Sequence, residues 1–287
     1  MKCFRLGSSG QFKTTNAMTT SSAVPNVLTI AGSDPSGGAG IQADLKTFSA
    51  LGAYGTSVIT ALTAQNTRGV SAVHAVPPDF IAAQLDALLD DVDVAAAKIG
   101  MVASREVALV IREALEKRRP RWIVLDPVMV AKSGDVLVDE AGIRAVREEL
   151  VPLADLITPN LPEAAVLLDG PAAETPTAME ALVPGLLGLG THHVLIKGGH
   201  LRGEHCHDLL ASSEERQWIE GKRVATDNLH GTGCTLSSAI TAYLARGRSL
   251  NEAVRQAKAW LGQALHASER LSVGRGHGPV HHFHAWW

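Results

Sequence analysis

The chain has 287 residues, 46% of them hydrophobic, and a protein of this size buries roughly three quarters of its unfolded surface, enough for one large core or two small ones. With 26 basic and 29 acidic residues the formal charge is −3, and no basic cluster is dense enough to follow a nucleic-acid backbone or an anionic membrane. Three scattered cysteines, Cys3, Cys206 and Cys234, exclude a disulfide framework and a Cys-x-x-Cys zinc site and point to a reducing cytoplasm, while no apolar run has the length to cross a bilayer.

Residues 1–24 are rich in Ser and Thr, carry Lys2, Arg5 and Lys13 and contain no acid. They read as a disordered extension, or as a stretch ahead of a true start at Met18, rather than as a transit peptide, since little amphipathic pattern is visible. Residues 25–287 are expected to form a single domain. Within it, Val27–Ala31, Ser57–Leu62, Ala96–Ile99, Trp122–Leu125, Leu156–Thr158 and Val194–Ile196 are short buried-strand patterns bounded by Gly, Pro or Asp. Between them run helices with apolar residues at threes and fours, such as Ile81, Leu85, Leu88, Leu89 and Val92, or Val107, Val110, Ile111 and Leu115. This alternation predicts a three-layer α/β/α domain with a mostly parallel central sheet and a ligand site at the carboxyl ends of the strands. His207–Leu210 and Gln217–Ile219 suit a small antiparallel edge, and strong two-residue hairpin signals are absent.

Polar groups gather where that rule places a site. The first strand runs into the glycine-rich Gly32–Gly40, followed by a helix on which Asp44 falls on or beside the apolar stripe of Ile41, Leu45 and Phe48. An ionised carboxylate there is costly unless it is paired or useful; the other reading is a complement to the helix dipole. Gln65, after the second strand, offers the donor and acceptor needed to read an amino-substituted heterocycle, or equally stabilises a turn. Asp126 and Glu163 follow strands and suit Mg²⁺, although a helix first turn accounts for Glu163 as well. Lys197 ends an apolar run beside Gly198 and Gly199, where it can neutralise a transferring phosphate. His230-Gly-Thr-Gly-Cys-Thr235 opens an apolar helix, and such glycines make either an anion hole of free amides or a plain tight turn. His281-His-Phe-His284 lacks a second cluster with zinc-ligand spacing and reads as structural.

Taken together, Ala31–Asp44, Ala64–Gly69, Lys98-Ile-Gly-Met101, Asp126-Pro-Val-Met129, Thr158–Glu163, Lys197-Gly-Gly-His200 and His230–Thr235 closely resemble the hydroxymethylpyrimidine/phosphomethylpyrimidine kinase family of thiamine biosynthesis, with its ribokinase-like fold, over about Val27 to Trp287. The resemblance implies transfer of the γ-phosphoryl of ATP, with Mg²⁺, to 4-amino-5-hydroxymethyl-2-methylpyrimidine and then to its monophosphate. It implies a pyrimidine against Gly32, Asp44, Gln65, Met101 and Val128, and nucleotide phosphates at Asn160, Lys197 and Thr232. Catalysis would fall to Cys234, Lys197, Gly231, Gly233 and Asp44, and Mg²⁺ to Asp126 and Glu163, through water. A homodimer is also implied. Thr63 departs from the pattern, since similar sequences often carry valine there.

Cys234 stands where sugar kinases of the same fold place an aspartate as general base. A thiol at a helix N-terminus can have a lowered pKa and act as the base, or serve as a neutral group that spares the second, anionic acceptor from repulsion, or simply be a small buried helix residue. Two other functions stay open: a pyridoxal or pyridoxine kinase, and a non-catalytic binder of a vitamin or nucleotide. Gly32–Gly40 and Ala131–Asp135 are the candidate closing loops.

Overall fold

The computed structural model describes residues 23–129, 138–204 and 206–287. The extension at 1–22 and the candidate loop Ala131–Asp135 lie outside the described residues. The expected strands are present as β1 (Asn26–Ser33), β2 (Tyr54–Asn66), β4 (Val94–Ile99), β5 (Trp122–Leu125), β6 (Leu156–Ile157), β7 (His193–Ile196), β8 (Asp208–Ala211) and β9 (Arg216–Ile219), and β3 (Gly69–Ala75) joins them unpredicted. They form one sheet of nine strands in the order β3-β2-β1-β4-β5-β6-β7-β8-β9, parallel from β2 to β7.

Side-chain alternation fixes what each face buries. Ile30, Ile123, Leu125, Val194 and Ile196 face one core with α2 (Pro78–Asp91) and α3 (Arg105–Lys117). Val27, Val124, Leu156 and Leu195 face the other with α1 (Gly40–Ala50) and, late in the chain, α8 (Thr232–Ala245) and α9 (Leu250–His266). Short helices α4 (Glu140–Ala145), α5 (Leu161–Leu167), α6 (Pro176–Ala181) and α7 (Val183–Gly188) cover the first face further along. The layers are therefore α/β/α. Strand order reverses around β1, whose neighbours are β2 and β4, and this is where open sheets leave a crevice for ligands.

Two differences from the sequence reading bear on the site. The antiparallel β8–β9 edge forms as expected, with β8 one residue later than predicted and β9 beginning one residue earlier. At the opposite edge β2 is much longer than Ser57–Leu62 and pairs with β3 through a two-residue turn, Thr67-Arg68, with Asn66 opposite Gly69. Neither turn residue has positive φ. The Asn66 side-chain oxygen accepts the Arg68 N–H at 2.8 Å and closes the turn, so the usual Asn-Gly signature is not needed.

Candidate active site

The glycine-rich segment after β1 is held by one side chain. Asp34 is 2% exposed and accepts from Ser36 N (2.8 Å), Ser36 Oγ (2.7 Å), Gly38 N (3.1 Å), Ala39 N (2.8 Å) and His230 Nε2 (2.7 Å). Burial works against its charge, but the bond from His230, with those of Ser36 and Ala39, outweighs it and holds the carboxyl down at about 2. Segment 32–40, expected as a closing loop, is thus pinned in place. Through His230 it is also tied to the start of α8. Gly231, the N-cap of α8, has φ 76°, and a Cβ there would lie 1.8 Å from the Gly38 carbonyl oxygen. Thr232 N donates to the Leu229 carbonyl at 3.3 Å, whereas the first-turn amides of Gly233 and Cys234 have no acceptor within the helix, and all three residues line a cavity of about 760 Å³. That is the geometry of an anion hole.

Beside those amides lies a fully buried carboxylate bound to a lysine. Asp126, just after β5, accepts from Lys197 Nζ (2.8 Å), Thr158 Oγ1 (3.0 Å) and Ser237 Oγ (3.3 Å). Burial raises its pKa, yet the charges of Lys197 and Lys98 and the donated bonds more than offset this and keep it ionised. For Lys197 burial opposes the charge, and Asp126 and Glu163 reverse the balance, so its ammonium is held firmly. Glu163 Oε2 lies 3.7 Å from Lys197 and completes a capping box with Asn160: each backbone N–H donates to the other's side chain at 2.8 Å. The helix-turn role of Glu163 and a place at the cavity therefore coexist. Burial and the charge of Asp126 push its carboxyl up to about 7 against the pull of Lys197.

Among the described residues no three His, Cys, Asp or Glu side chains gather to hold a metal. Asp126 and Glu163, both already facing Lys197, instead suit a hydrated ion such as Mg²⁺, which keeps several waters and leans on phosphate oxygens.

Gly32, Gln65, Met101 and Val128 line another part of the cavity wall. A Cβ at Gly32 would lie 2.7 Å from the terminal methyl of Met101, so a side chain there would push that flexible methionine across the cavity wall. Asp44, expected among the substrate-binding and catalytic residues, is 0% exposed and is not among the residues that line the cavity. It lies one layer behind, accepting from Thr29 Oγ1 (2.6 Å), Ser238 Oγ (2.7 Å) and Lys98 Nζ (2.9 Å). The cavity is lined by Lys98, a fully buried lysine whose ammonium burial would discharge but which the carboxylates of Asp44 and Asp126 keep charged. Lys98, Asp34 and His230 are additions to the predicted set.

Cys234 lines the same cavity. Burial, reinforced by Asp44 and Asp126 against Lys98, pushes its thiol up to about 11. The thiol is protonated at neutral pH, which disfavours the general-base reading and leaves the neutral group and the small buried helix residue. His282 Nε2 is 3.0 Å from Thr235 Oγ1 below α8, and both His281 and His282 are buried.

The family model described as phosphomethylpyrimidine kinase matches residues 34–281. The chain belongs to this family. It is 56% identical, over 91% of this chain and 98% of the relative, to the hydroxymethylpyrimidine/phosphomethylpyrimidine kinase of Salmonella typhimurium. Among solved structures it resembles the phosphomethylpyrimidine kinase of Clostridium difficile, with 46% identity, a TM-score of 0.75 and coverage of 84% of this chain and 99% of that one. It also resembles an ADP complex of Bacillus subtilis pyridoxal kinase, with 36% identity, a TM-score of 0.84 and coverage of 91% and 98%. The ribokinase-like architecture, kinase activity and thiamine-biosynthetic role of the phosphomethylpyrimidine kinase family thus apply to this chain.

Proposed function

We propose that residues 25–287 act as one unit that moves the γ-phosphoryl of ATP first to the hydroxymethyl group of 4-amino-5-hydroxymethyl-2-methylpyrimidine and then to the resulting monophosphate. The observation that carries this reading is a cavity whose lining joins two unlike sets of groups, the first turn of α8 with the Lys197–Asp126 pair and the wall of Gln65, Met101 and Val128, together with the neutral thiol of Cys234.

Gln65 reads the edge of the pyrimidine, which packs on Gly32, Met101 and Val128. The Thr232–Cys234 amides and Lys197 hold the phosphates in line with the acceptor oxygen, so positioning and electrostatics supply most of the rate. Asp126 and Glu163 would hold a hydrated Mg²⁺, which would supply positive charge to neutralise the phosphates. Asn160 sets the Glu163 carboxylate through the capping box. Cys234 stays uncharged, so an alcohol and a phosphate monoester both reach the same point. Asp44 acts by keeping Lys98 charged beneath the cavity.

The protein works in the cytoplasm, in keeping with its free thiols Cys206 and Cys234. Among the described residues no helix is long and apolar enough to cross a membrane. It pairs as a homodimer, in keeping with the exposed apolar Tyr54, Leu62 and Val73 on β2 and β3.

Mass spectrometry of products after incubation with Mg·ATP and the pyrimidine tests the activity, with pyridoxine in a parallel reaction because of the likeness to a pyridoxal kinase. Successive mono- and diphosphate of the pyrimidine are expected. Phosphorylated pyridoxine without a pyrimidine product would overturn the reading in favour of a vitamin B6 kinase, and no product from either would leave a binding protein.

A further inference from the structure

The side-chain amide of Gln65 can face a ligand in two opposite ways, and neighbouring groups choose between them. Thr63 Oγ1 lies 2.9 Å from the Ser33 carbonyl oxygen and 3.1 Å from Gln65 Oε1. A hydroxyl carries one proton, and a carbonyl oxygen only accepts. Thr63 therefore gives its proton to Ser33 and turns a lone pair toward Gln65. With Oε1 on that side two acceptors would meet around no proton. The amide's oxygen and nitrogen have nearly the same shape, so a half-turn that brings Nε2 to Thr63 removes the conflict without disturbing the packing.

Ser33 itself has no freedom to release that proton. It sits in register with Leu62 of β2 and bridges to Gly40, and its Oγ accepts from Gln42 Nε2 at 2.8 Å. Gln42 is oriented in turn by the Asp34 backbone N–H, which donates to its Oε1 at 2.8 Å. Gln42 and Thr63 are thus each directed by a backbone group that cannot change its role, the Asp34 N–H and the Ser33 carbonyl.

We propose that Thr63 is a specificity-determining positioning residue, whose lone pair holds Gln65 Nε2 and so presents Gln65 Oε1 to the cavity as an acceptor. The site then takes a ring with an N–H donor at this edge, as in a 4-amino pyrimidine, and rejects a ring that presents a carbonyl there. This rests on Gln65 reading the ring, as proposed above.

The test compares 4-amino-5-hydroxymethyl-2-methylpyrimidine with its 4-oxo analogue on the full chain. Wild type, Thr63→Val, Thr63→Ala, Thr63→Ser and Gln65→Leu are compared by kcat and KM with Mg·ATP and by calorimetric Kd. Valine and alanine remove the lone pair and free the amide to turn, and agreement between them separates this effect from a change of packing. The preference for the amino ring is expected to fall by about tenfold or more in both, through a lower KM and Kd for the oxo ring, because one buried hydrogen bond changes from mismatched to made. Serine, which keeps the hydroxyl, retains the preference. Wild-type preference in Thr63→Val and Thr63→Ala would overturn the inference. If Gln65→Leu binds the amino ring as tightly as wild type, the reading of Gln65 falls and the role of Thr63 falls with it. If Gln65→Leu loses the amino ring while both Thr63 variants keep the wild-type preference, only the role of Thr63 falls.

Discussion

Cys234→Asp separates the two phosphoryl transfers. The substitution puts a carboxylate at a cavity wall that already faces Asp126, with Asp44 one layer behind. An alcohol acceptor carries no charge and gains at most a base. A phosphate monoester brings about 1.5 to 2 negative charges, and two unit charges 4 Å apart repel by about 4 kcal/mol at an effective dielectric constant near 20. Lys98, Lys197 and the metal offset part of this. A remainder of about 2 kcal/mol lowers the second rate about 30-fold relative to the first. The same burial and acidic neighbours that raise the thiol disfavour an ionised aspartate, so the discrimination should grow as pH rises and the new carboxyl loses its proton. The assay follows mono- and diphosphate formation separately, starting from each acceptor, across the neutral range, with Cys234→Ser as the neutral control. If Cys234→Asp keeps the ratio of the two steps within about threefold of Cys234→Ser at every pH, the repulsion is too small against the scale above and the argument for a neutral residue fails.

Lys98→Met removes the cation from a pair in which both side chains are 0% exposed, leaving Asp44 with only its hydroxyl donors; denaturation should show a loss of about 3–5 kcal/mol, recovered largely in Asp44→Asn/Lys98→Met. A loss below about 1 kcal/mol would mean that the pair carries little of the packing. His282, pushed down from 6.5 to about 3 by burial and by the Lys46 charge, refuses a proton that the unfolded chain accepts, so stability present above pH 6.5 is lost as pH falls toward 3. His282→Asn should therefore show a shallower acid-unfolding slope over that window; an unchanged slope assigns the slope to other groups. Gly231→Ala meets both positive φ and the Gly38 oxygen and should lower kcat/KM more than tenfold, on the order of 1–3 kcal/mol of strain being displaced into the anion hole. Gly247→Ala, with φ 81° and no atom within 4 Å of the added Cβ, should cost stability alone and leave kcat/KM intact.

The parallel strands were legible because each is a short apolar run whose two faces enter two cores, as Ile123, Val124 and Leu125 do in turn. The β2–β3 hairpin was not, because its turn is closed by the Asn66 side chain and not by a residue with positive φ, and β3 is exposed along most of its length. Around the site, residues next to glycine at strand ends announced themselves. Asp34 and His230 did not, being 196 positions apart, a distance at which no local pattern survives. Lys98 did carry a signal, a single charge inside the buried run Val94–Ile99, and a buried charge calls for a partner. The periodicity of α1 correctly marks Asp44 as buried, but cannot say whether a buried carboxylate meets a ligand or another side chain. Here it meets Lys98, Thr29 and Ser238.

The union of segment 32–40 with the head of α8 has a consequence for the chain as it is made. Asp34 waits for His230, Asp44 for Ser238, and the Gly38 carbonyl for a glycine at 231, each pairing the first quarter of the described chain with the last. During synthesis the strands through β9 precede the head of α8, so the contacts that join segment 32–40 to α8 form only in a late closure of distant parts of the chain. Nucleotide bound at that seam stabilises the joined ends and not the bare sheet, so ligand protection against proteolysis should concentrate where the beginning and the end of the chain meet.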